Sequence, residues 1–186
     1  MDKSAVVLEM QRVERNAVPD RVLEVGRYNV RMMTLTPAKV VELWRKLSRF
    51  RTLFSDLTRG DFGSFFAYVV SGDTFWLEIY DGNFLVGLVV LEGMGQLIDA
   101  EAHVLFMDRD LTNKVPVCKA IIRWLFATFP LQRLTVQIPT IYMAVVRLVN
   151  DLGFRREGRK RRAVLISGKW VDVFILGLTR SEAVRV

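Results

Sequence analysis

The chain has 186 residues, of which 51% are hydrophobic, and charged residues interrupt its apolar runs every few positions. This length fits one compact domain, and no stretch approaches the roughly 18 uncharged residues that a membrane helix needs. The N-terminus has an early acidic residue and no long apolar run, so we expect a soluble, cytoplasmic protein without a secretory signal. One cysteine, Cys118, and one histidine exclude a disulfide framework and the usual sets of metal ligands.

The net charge of +7 is concentrated in one place. The run Arg155–Arg162 holds six basic residues and one acidic residue, a local net charge of +5. Such a run could contact phosphates of a nucleotide, a nucleic acid or an acidic protein surface, or it could be a solvated turn beside a strand. Nucleic acid is the weaker interpretation, because no aromatic residues alternate with the basic ones.

The first quarter of the chain predicts an extension, a strand and a helix. Residues 1–26 have no repeating pattern and are interpreted as an N-terminal extension, in which the apolar residues of 6–10 could dock as a strand. A strand is expected over Arg27–Leu35. Thr36 then offers an N-cap oxygen, and the proline after it suits the first position of a helix that ends near Arg49.

The middle of the chain predicts a second helix and three antiparallel strands. The helix is expected around Phe62–Val70. Strands on either side of Asp81-Gly82 indicate a hairpin, because this dipeptide tolerates the positive φ angles of a type I′ turn. A third strand is expected over Ile98–Met107.

The last third predicts the remaining elements. A helix with one apolar face ends at Pro130, and a strand follows over Leu134–Ile138. Thr140 is expected to cap a helix that Gly153 closes in a left-handed conformation. A hairpin turning at Ser167-Gly168 completes an α/β (α+β) fold with a mixed, mostly antiparallel central sheet flanked by helices. The residues that mark the first of these helices are Val117, Ala120, Ile121, Trp124, Leu125 and Thr128.

This element order, together with several local motifs, resembles the GNAT acyl-CoA N-acyltransferases, and within them the ribosomal-protein N-terminal acetyltransferases of the Rim type. The resemblance implies a GNAT-like domain over residues 27–182, followed by a short tail at 183–186. The matching residues are Ala100-Glu101, Arg147-Leu148, Leu152–Arg159, Gly168–Val173 and Gly177-Leu178.

The resemblance also implies how acetyl-CoA would bind. The pantetheine arm enters between two splayed strands, and the pyrophosphate meets the N-terminus of the helix that begins near Pro116, where unpaired N–H groups stabilise an anion. A backbone N–H near Leu105 or Phe106 would hold the oxyanion of the transferred acetyl group.

The expected pyrophosphate loop departs from the family pattern. Arg109 matches the first position of the family loop, but Thr112 and Lys114 stand where the family has glycine or another small residue. Asn113 lies between them. Glycine allows a backbone to approach phosphate oxygens closely, and a lysine offers a point charge without restoring that clearance. Acetyl-CoA binding is therefore in question.

Three residues are candidates for chemistry. Strand alternation places Glu101 and the only histidine, His103, on one face, where they could take a proton from an amine. The alternative is an exposed glutamate beside a core histidine. Tyr142 replaces an asparagine of the family, and Val149 replaces its frequent tyrosine, so the acid that would protonate the leaving thiolate is unassigned.

Two functions follow. The chain is either an N-acetyltransferase that uses acetyl-CoA to acylate a protein N-terminus or a small amine, or an inactive GNAT-fold interaction protein, for example in a phage particle or another assembly. A protein partner and a homo-oligomer are expected, without a membrane. The second function would place the chain in an assembly such as a virion.

Overall fold

The fold is built on one eight-stranded sheet. The computed structural model describes residues 21–48, 61–70, 72–94, 98–107 and 114–186. The strand order is β1-β2-β3-β4-β5-β6-β8-β7, and every pair is antiparallel except β5–β6, which is parallel. The strands are β1 (Arg21–Val25), β2 (Tyr28–Met32), β3 (Thr74–Asp81), β4 (Phe84–Glu92), β5 (Asp99–Phe106), β6 (Arg133–Pro139), β7 (Arg155–Ile166) and β8 (Lys169–Thr179).

Five helices in the described part of the chain flank the sheet, and the first two begin at side-chain caps. The Thr36 Oγ1 accepts the backbone N–H of Lys39 at 3.1 Å, as the sequence predicts, and Asp61 accepts that of Ser64 at 2.8 Å. The helices are α1 (Pro37–Leu47), α2 (Phe62–Val69), α3 (Val115–Thr128), α4 (Met143–Asp151) and α5 (Arg180–Ala183).

The predicted start of α4 is wrong, while its end is confirmed. Tyr142 is the N-cap of this helix and makes no side-chain capping bond, so Thr140 is not the cap. Thr140 instead donates its N–H to the Asp172 carbonyl at 2.8 Å, which ties it to β8. Gly153 follows the helix with φ +88°, the left-handed conformation that glycine tolerates.

The two predicted hairpins form, but their turns differ. Asp81 pairs with Phe84, so the loop residues of the first hairpin are Gly82 and Asn83. Of these only Gly82 has a positive φ, +58°, whereas a type I′ turn needs two such residues. The type I′ assignment for this turn is therefore wrong. At the second hairpin, both Ser167 and its following glycine have positive φ.

Each face of the sheet carries its own core. One face is covered by α1 and α2, whose buried residues include Leu43 and Phe65 and pack with Trp76 of β3. The other is covered by α3 and α4, whose buried residues include Leu125 and Val149. Alternation along a strand accounts for this division, because successive side chains of one strand point to opposite faces.

Two segments differ from their sequence interpretation. Residues 21–25, assigned to an N-terminal extension, form β1 at one edge of the sheet, while the strand expected over residues 6–10 lies outside the described residues. The basic run is not a turn, because Arg155–Arg162 is the first part of β7, the strand at the opposite edge. None of the helices in the described part of the chain is long and apolar enough to cross a membrane.

Candidate functional site

The parallel strands β5 and β6 separate part of the way along their length. They pair over Asp99–Glu101 and Arg133–Thr135. β5 then continues to Phe106 and β6 to Pro139 without further pairing between them. A gap therefore opens between two neighbouring strands at their carboxyl ends.

The backbone of β5 presents hydrogen-bonding groups to this gap. The Ile98 carbonyl accepts the N–H groups of Gln132 and Arg133 at 2.8 and 3.1 Å, so residue 98 faces β6. Backbone direction alternates along a strand, which turns the N–H and C=O groups of Ala102, Val104 and Phe106 towards the gap. Of the two expected oxyanion donors, the Phe106 N–H faces the gap and the Leu105 N–H faces β4.

A histidine between two glutamates lies beside the gap. Glu92 of β4 is directly opposite Glu101 of β5. The His103 Nε2 is 3.1 Å from the Glu92 Oε1 and 3.7 Å from the Glu101 Oε1. This nitrogen is inaccessible to solvent, and it has no well-aligned hydrogen-bond acceptor in the described part of the chain. The structure thus brings Glu101 and His103 together and adds Glu92, which the sequence analysis missed.

Polar contacts extend this cluster on both sides. The Tyr68 hydroxyl of α2 donates to the Glu92 Oε1. On the other side, the Gln137 Nε2 donates to the Glu101 Oε2 at 2.7 Å, and the Lys160 Nζ donates to the Gln137 Oε1 at 2.8 Å. The network therefore runs from α2 across the sheet to β7. The register of four strands assembles it, and spacing along the chain indicated only Glu101 and His103 among its members.

The cluster shifts the pKa of its members. Burial lowers the pKa of His103, but the contact with Glu92 and the negative charges of both glutamates raise it by more, so the pKa lies above its ordinary value. The His103 contact lowers the pKa of Glu92 against the effect of burial, and Tyr68 adds to that lowering. Burial, followed by the contact with Glu92, raises the pKa of Tyr68.

The expected phosphate ligand Lys114 lies inside the fold. It directly precedes α3 and is 2% exposed. Its Nζ donates to the Tyr28 hydroxyl at 3.0 Å and lies 5.7 Å from the centre of the Phe106 ring. The Phe106 ring also packs closely on Gly87. A Cβ atom added at residue 87 would lie 2.9 Å from the Phe106 Cδ1. Because its Nζ donates to the Tyr28 hydroxyl, the ammonium of Lys114 is directed at Tyr28.

Four other residues were expected at the site. Arg109, Thr112 and Asn113 lie outside the described residues. Tyr142 is half-buried and packs against the core beneath α3 and α4. No hydrogen bond between described residues joins its hydroxyl to Glu101 or His103.

The start of α3 retains features that suit an anion. Lys114, the N-cap, makes no side-chain capping bond to the first turn, and the free N–H groups of a helix start favour negative charge. Pro116, in that first turn, removes one donor. Among the described residues no cluster of three or more His, Cys, Asp or Glu side chains could hold a metal ion.

Solved structures with a similar fold include GNAT-family acetyltransferases. Spermidine N-acetyltransferase from Vibrio cholerae, in complex with CoA and spermine, has a TM-score of 0.72 at 14% identity, over 86% of this chain and 99% of that chain. A dodecameric structure of the Vibrio enzyme has a TM-score of 0.70 at 15% identity, over 84% and 96%. A GNAT-family acetyltransferase from Bacillus anthracis has a TM-score of 0.66 at 16% identity, over 86% and 99%.

These structures establish the fold. The chain has the GNAT fold, so the predicted fold class is confirmed. No protein-family profile matches the sequence, and no curated protein matches it. The closer resemblance to the Rim-type branch stays a prediction.

Proposed function

We propose that this protein transfers an acetyl group from acetyl-CoA to a primary amine. The observation that carries the proposal is the gap between β5 and β6 beside the cluster of Glu92, Glu101 and His103. The solved neighbours support it, since the Vibrio enzyme is an N-acetyltransferase described with CoA and spermine. A small amine and a protein N-terminus are both candidate acceptors.

The backbone of β5 would hold the pantetheine arm along Ala102, Val104 and Phe106. The N-terminus of α3, with Arg109 and the residues after it, would face the pyrophosphate. Bound acetyl-CoA supplies an activated acetyl thioester. We assign the Phe106 N–H to the acetyl oxygen, because it is the one of the two expected donors that faces the gap.

Glu101 is the proposed acceptor of the amine proton, with His103 beside it. The Glu101 side chain is 28% exposed, whereas the His103 Nε2 is sealed from solvent. An amine or its bridging water would therefore reach Glu101 first and give its proton to that carboxylate, which lies 3.7 Å from the His103 Nε2. The glutamates favour a protonated imidazole. Tyr142 or a water would protonate the leaving thiolate.

A catalytically inactive interaction protein is the second candidate. The observation that favours it is Lys114, a buried lysine at the start of α3 where the family has a small residue. Its ammonium contacts Tyr28. The positive charge that could bind phosphate in the absence of the family glycines is therefore directed into the fold. The dodecameric neighbour supports a homo-oligomer under either function.

The two candidates are separated by acetyl-CoA binding and turnover. Calorimetry should give a micromolar Kd for the unaltered protein, and thiol release should be measured with spermidine and with a peptide carrying a free N-terminus. Glu101→Gln should lower kcat by about 10²- to 10⁴-fold with little change in the acetyl-CoA Kd. Glu24→Gln, on the exposed edge strand β1, is the matched control.

Each candidate makes a distinct prediction for this experiment. Absence of binding by the unaltered protein, with binding gained by a Thr112→Gly/Lys114→Gly variant, would favour the inactive protein. Binding with equal turnover by Glu101→Gln and Glu24→Gln would remove the proposed proton acceptor and keep the cofactor site.

A further inference from the structure

Basic and large apolar side chains are exposed together at the end of the β7–β8 hairpin. We call this the hairpin-end surface and define it by Arg161, Arg162, Leu165 and Trp170, all of which are exposed. It takes no part in the proposed acetyl transfer, and the basic run of the sequence supplies its two arginines.

A bulge in β7 presents the arginines. Lys160 pairs with Val173 and Val164 pairs with Val171, so three residues of β7, 161–163, lie opposite Asp172 alone. The Asp172 Oδ1 accepts the N–H of Arg162 at 2.7 Å, and this arginine has φ +49°. Bulges redirect side chains away from the regular strand. Asp172 thus holds the bulge in a defined conformation.

The basic residues of β7 divide into two groups. Arg155 pairs with Glu182 at 3.1 Å, and Arg159 donates its Nε to the Asp172 Oδ2 at 2.7 Å. In contrast, no carboxylate of the described residues forms an ion pair with the side chain of Arg161, Arg162 or Lys169. Arg161, Arg162 and Lys169 therefore bring positive charge to the hairpin end, where the nearest opposing charge is that of Asp172 on Arg161.

The apolar part of the surface is a cross-strand pair. Leu165 is directly opposite Trp170, so their side chains lie on one face of the hairpin. Trp170 is 56% exposed and Leu165 is 44% exposed. Protein-binding surfaces are enriched in tryptophan and arginine, and tryptophan is among the residues that contribute most to binding.

We propose that the hairpin-end surface binds an acidic segment of another protein, with an apolar side chain of that segment on Leu165 and Trp170. A second copy of this surface would bring like charges together. β7 is also the outermost strand of the sheet, and an extended peptide can add to such an edge through main-chain hydrogen bonds.

Fluorescence anisotropy with a short labelled peptide tests the proposal. The probe has glutamates interspersed with leucines, and its comparison peptide has lysine at every glutamate. The full chain should bind the acidic probe, more weakly as salt rises, and should not bind the lysine peptide. Arg161→Glu and Trp170→Ala should each raise the Kd roughly tenfold.

Arg45→Glu is the matched control, because Arg45 is exposed on α1 and its reversal changes the net charge by the same amount as Arg161→Glu. It should change the Kd less than about twofold. Equal weakening by both reversals would overturn the proposal by showing a response to bulk charge. Tighter binding of single-stranded DNA or phosphatidylserine vesicles than of the acidic peptide would also overturn it. Far-UV circular dichroism establishes that each variant is folded. The hairpin-end surface takes no part in the proposed acetyl transfer, so either proposal can fail without the other.

Discussion

At the scale of single residues, the most informative contact is that of His103 with two glutamates. Glu92 and Glu101 are cross-strand partners, and like charges directly opposite each other destabilise a sheet. A protonated imidazole between them offsets that repulsion. The raised pKa of His103 therefore means that protonation of this imidazole stabilises the folded state.

The first prediction is that His103→Gln destabilises the protein more at about pH 6 than at about pH 9. A group whose pKa is raised by folding stabilises the fold fully below its unfolded pKa, ordinarily 6.5, and loses this contribution as pH rises through the folded pKa. Urea unfolding of both proteins at the two pH values measures the difference. A stability difference that does not change with pH would show that the imidazole is not held protonated by the glutamates.

Sequence reasoning reached only part of this cluster. Strand alternation was enough to place Glu101 beside His103, because two residues of one strand share a face whatever their neighbours are. Glu92, Tyr68 and Gln137 belong to three other elements, and they meet the pair through strand register and the packing of α2. Nothing in local spacing specifies such contacts.

At the scale of elements, the end of α3 depends on one arginine, the first residue of α5 directly after β8. Arg180 donates its Nη1, Nη2 and Nε to the carbonyls of Phe126, Phe129 and Leu131, each at 2.7 Å. The last carbonyls of a helix have no partner within the helix, and a guanidinium brings positive charge to the negative end of its dipole. This residue joins the start of α5 to the end of α3.

The second prediction is that Arg180→Lys lowers the free energy of unfolding by about 2 kcal/mol. A lysine ammonium is a point charge and cannot reproduce the fork that serves three separated carbonyls. Arg185→Lys, at an exposed position of the C-terminal tail, is the control and should change stability by less than about 0.5 kcal/mol. Equal effects in urea unfolding would contradict a specific role for Arg180.

Most elements were predictable, whereas β1 and the basic first part of β7 were not. The helices followed from apolar periodicity and caps, and Thr36 began α1 as expected. The basic run has no alternation of apolar and polar residues, so it resembled a turn. It is a strand because β8 supplies its hydrogen bonds and Asp172 stabilises the bulge within it, and both are contacts from outside the run.

At the scale of the whole molecule, one sheet serves two cores. β3 and β4 contribute to both: Leu77 and Val89 face the core beneath α3 and α4, while Trp76 and Leu88 face the core beneath α1 and α2. The resemblance to GNAT proteins predicted this architecture even though solved neighbours are only about 15% identical. A fold accommodates many activities, so the activity must be argued from the cluster and the gap.

The shared sheet yields the last prediction, that both cores unfold together. Leu43→Ala in α1 and Leu125→Ala in α3 should each cost about 2–5 kcal/mol, since both side chains are almost completely buried. Loss of either core exposes one face of β3 and β4, which removes support for the opposite core. Far-UV circular dichroism and tryptophan fluorescence should therefore report a single transition in both variants. Leu35→Ala, at a 40% exposed position, should cost less than about 1 kcal/mol. If Leu43→Ala instead separated the two signals, α1 and α2 would be an independent folding unit on a sheet that α3 and α4 stabilise alone.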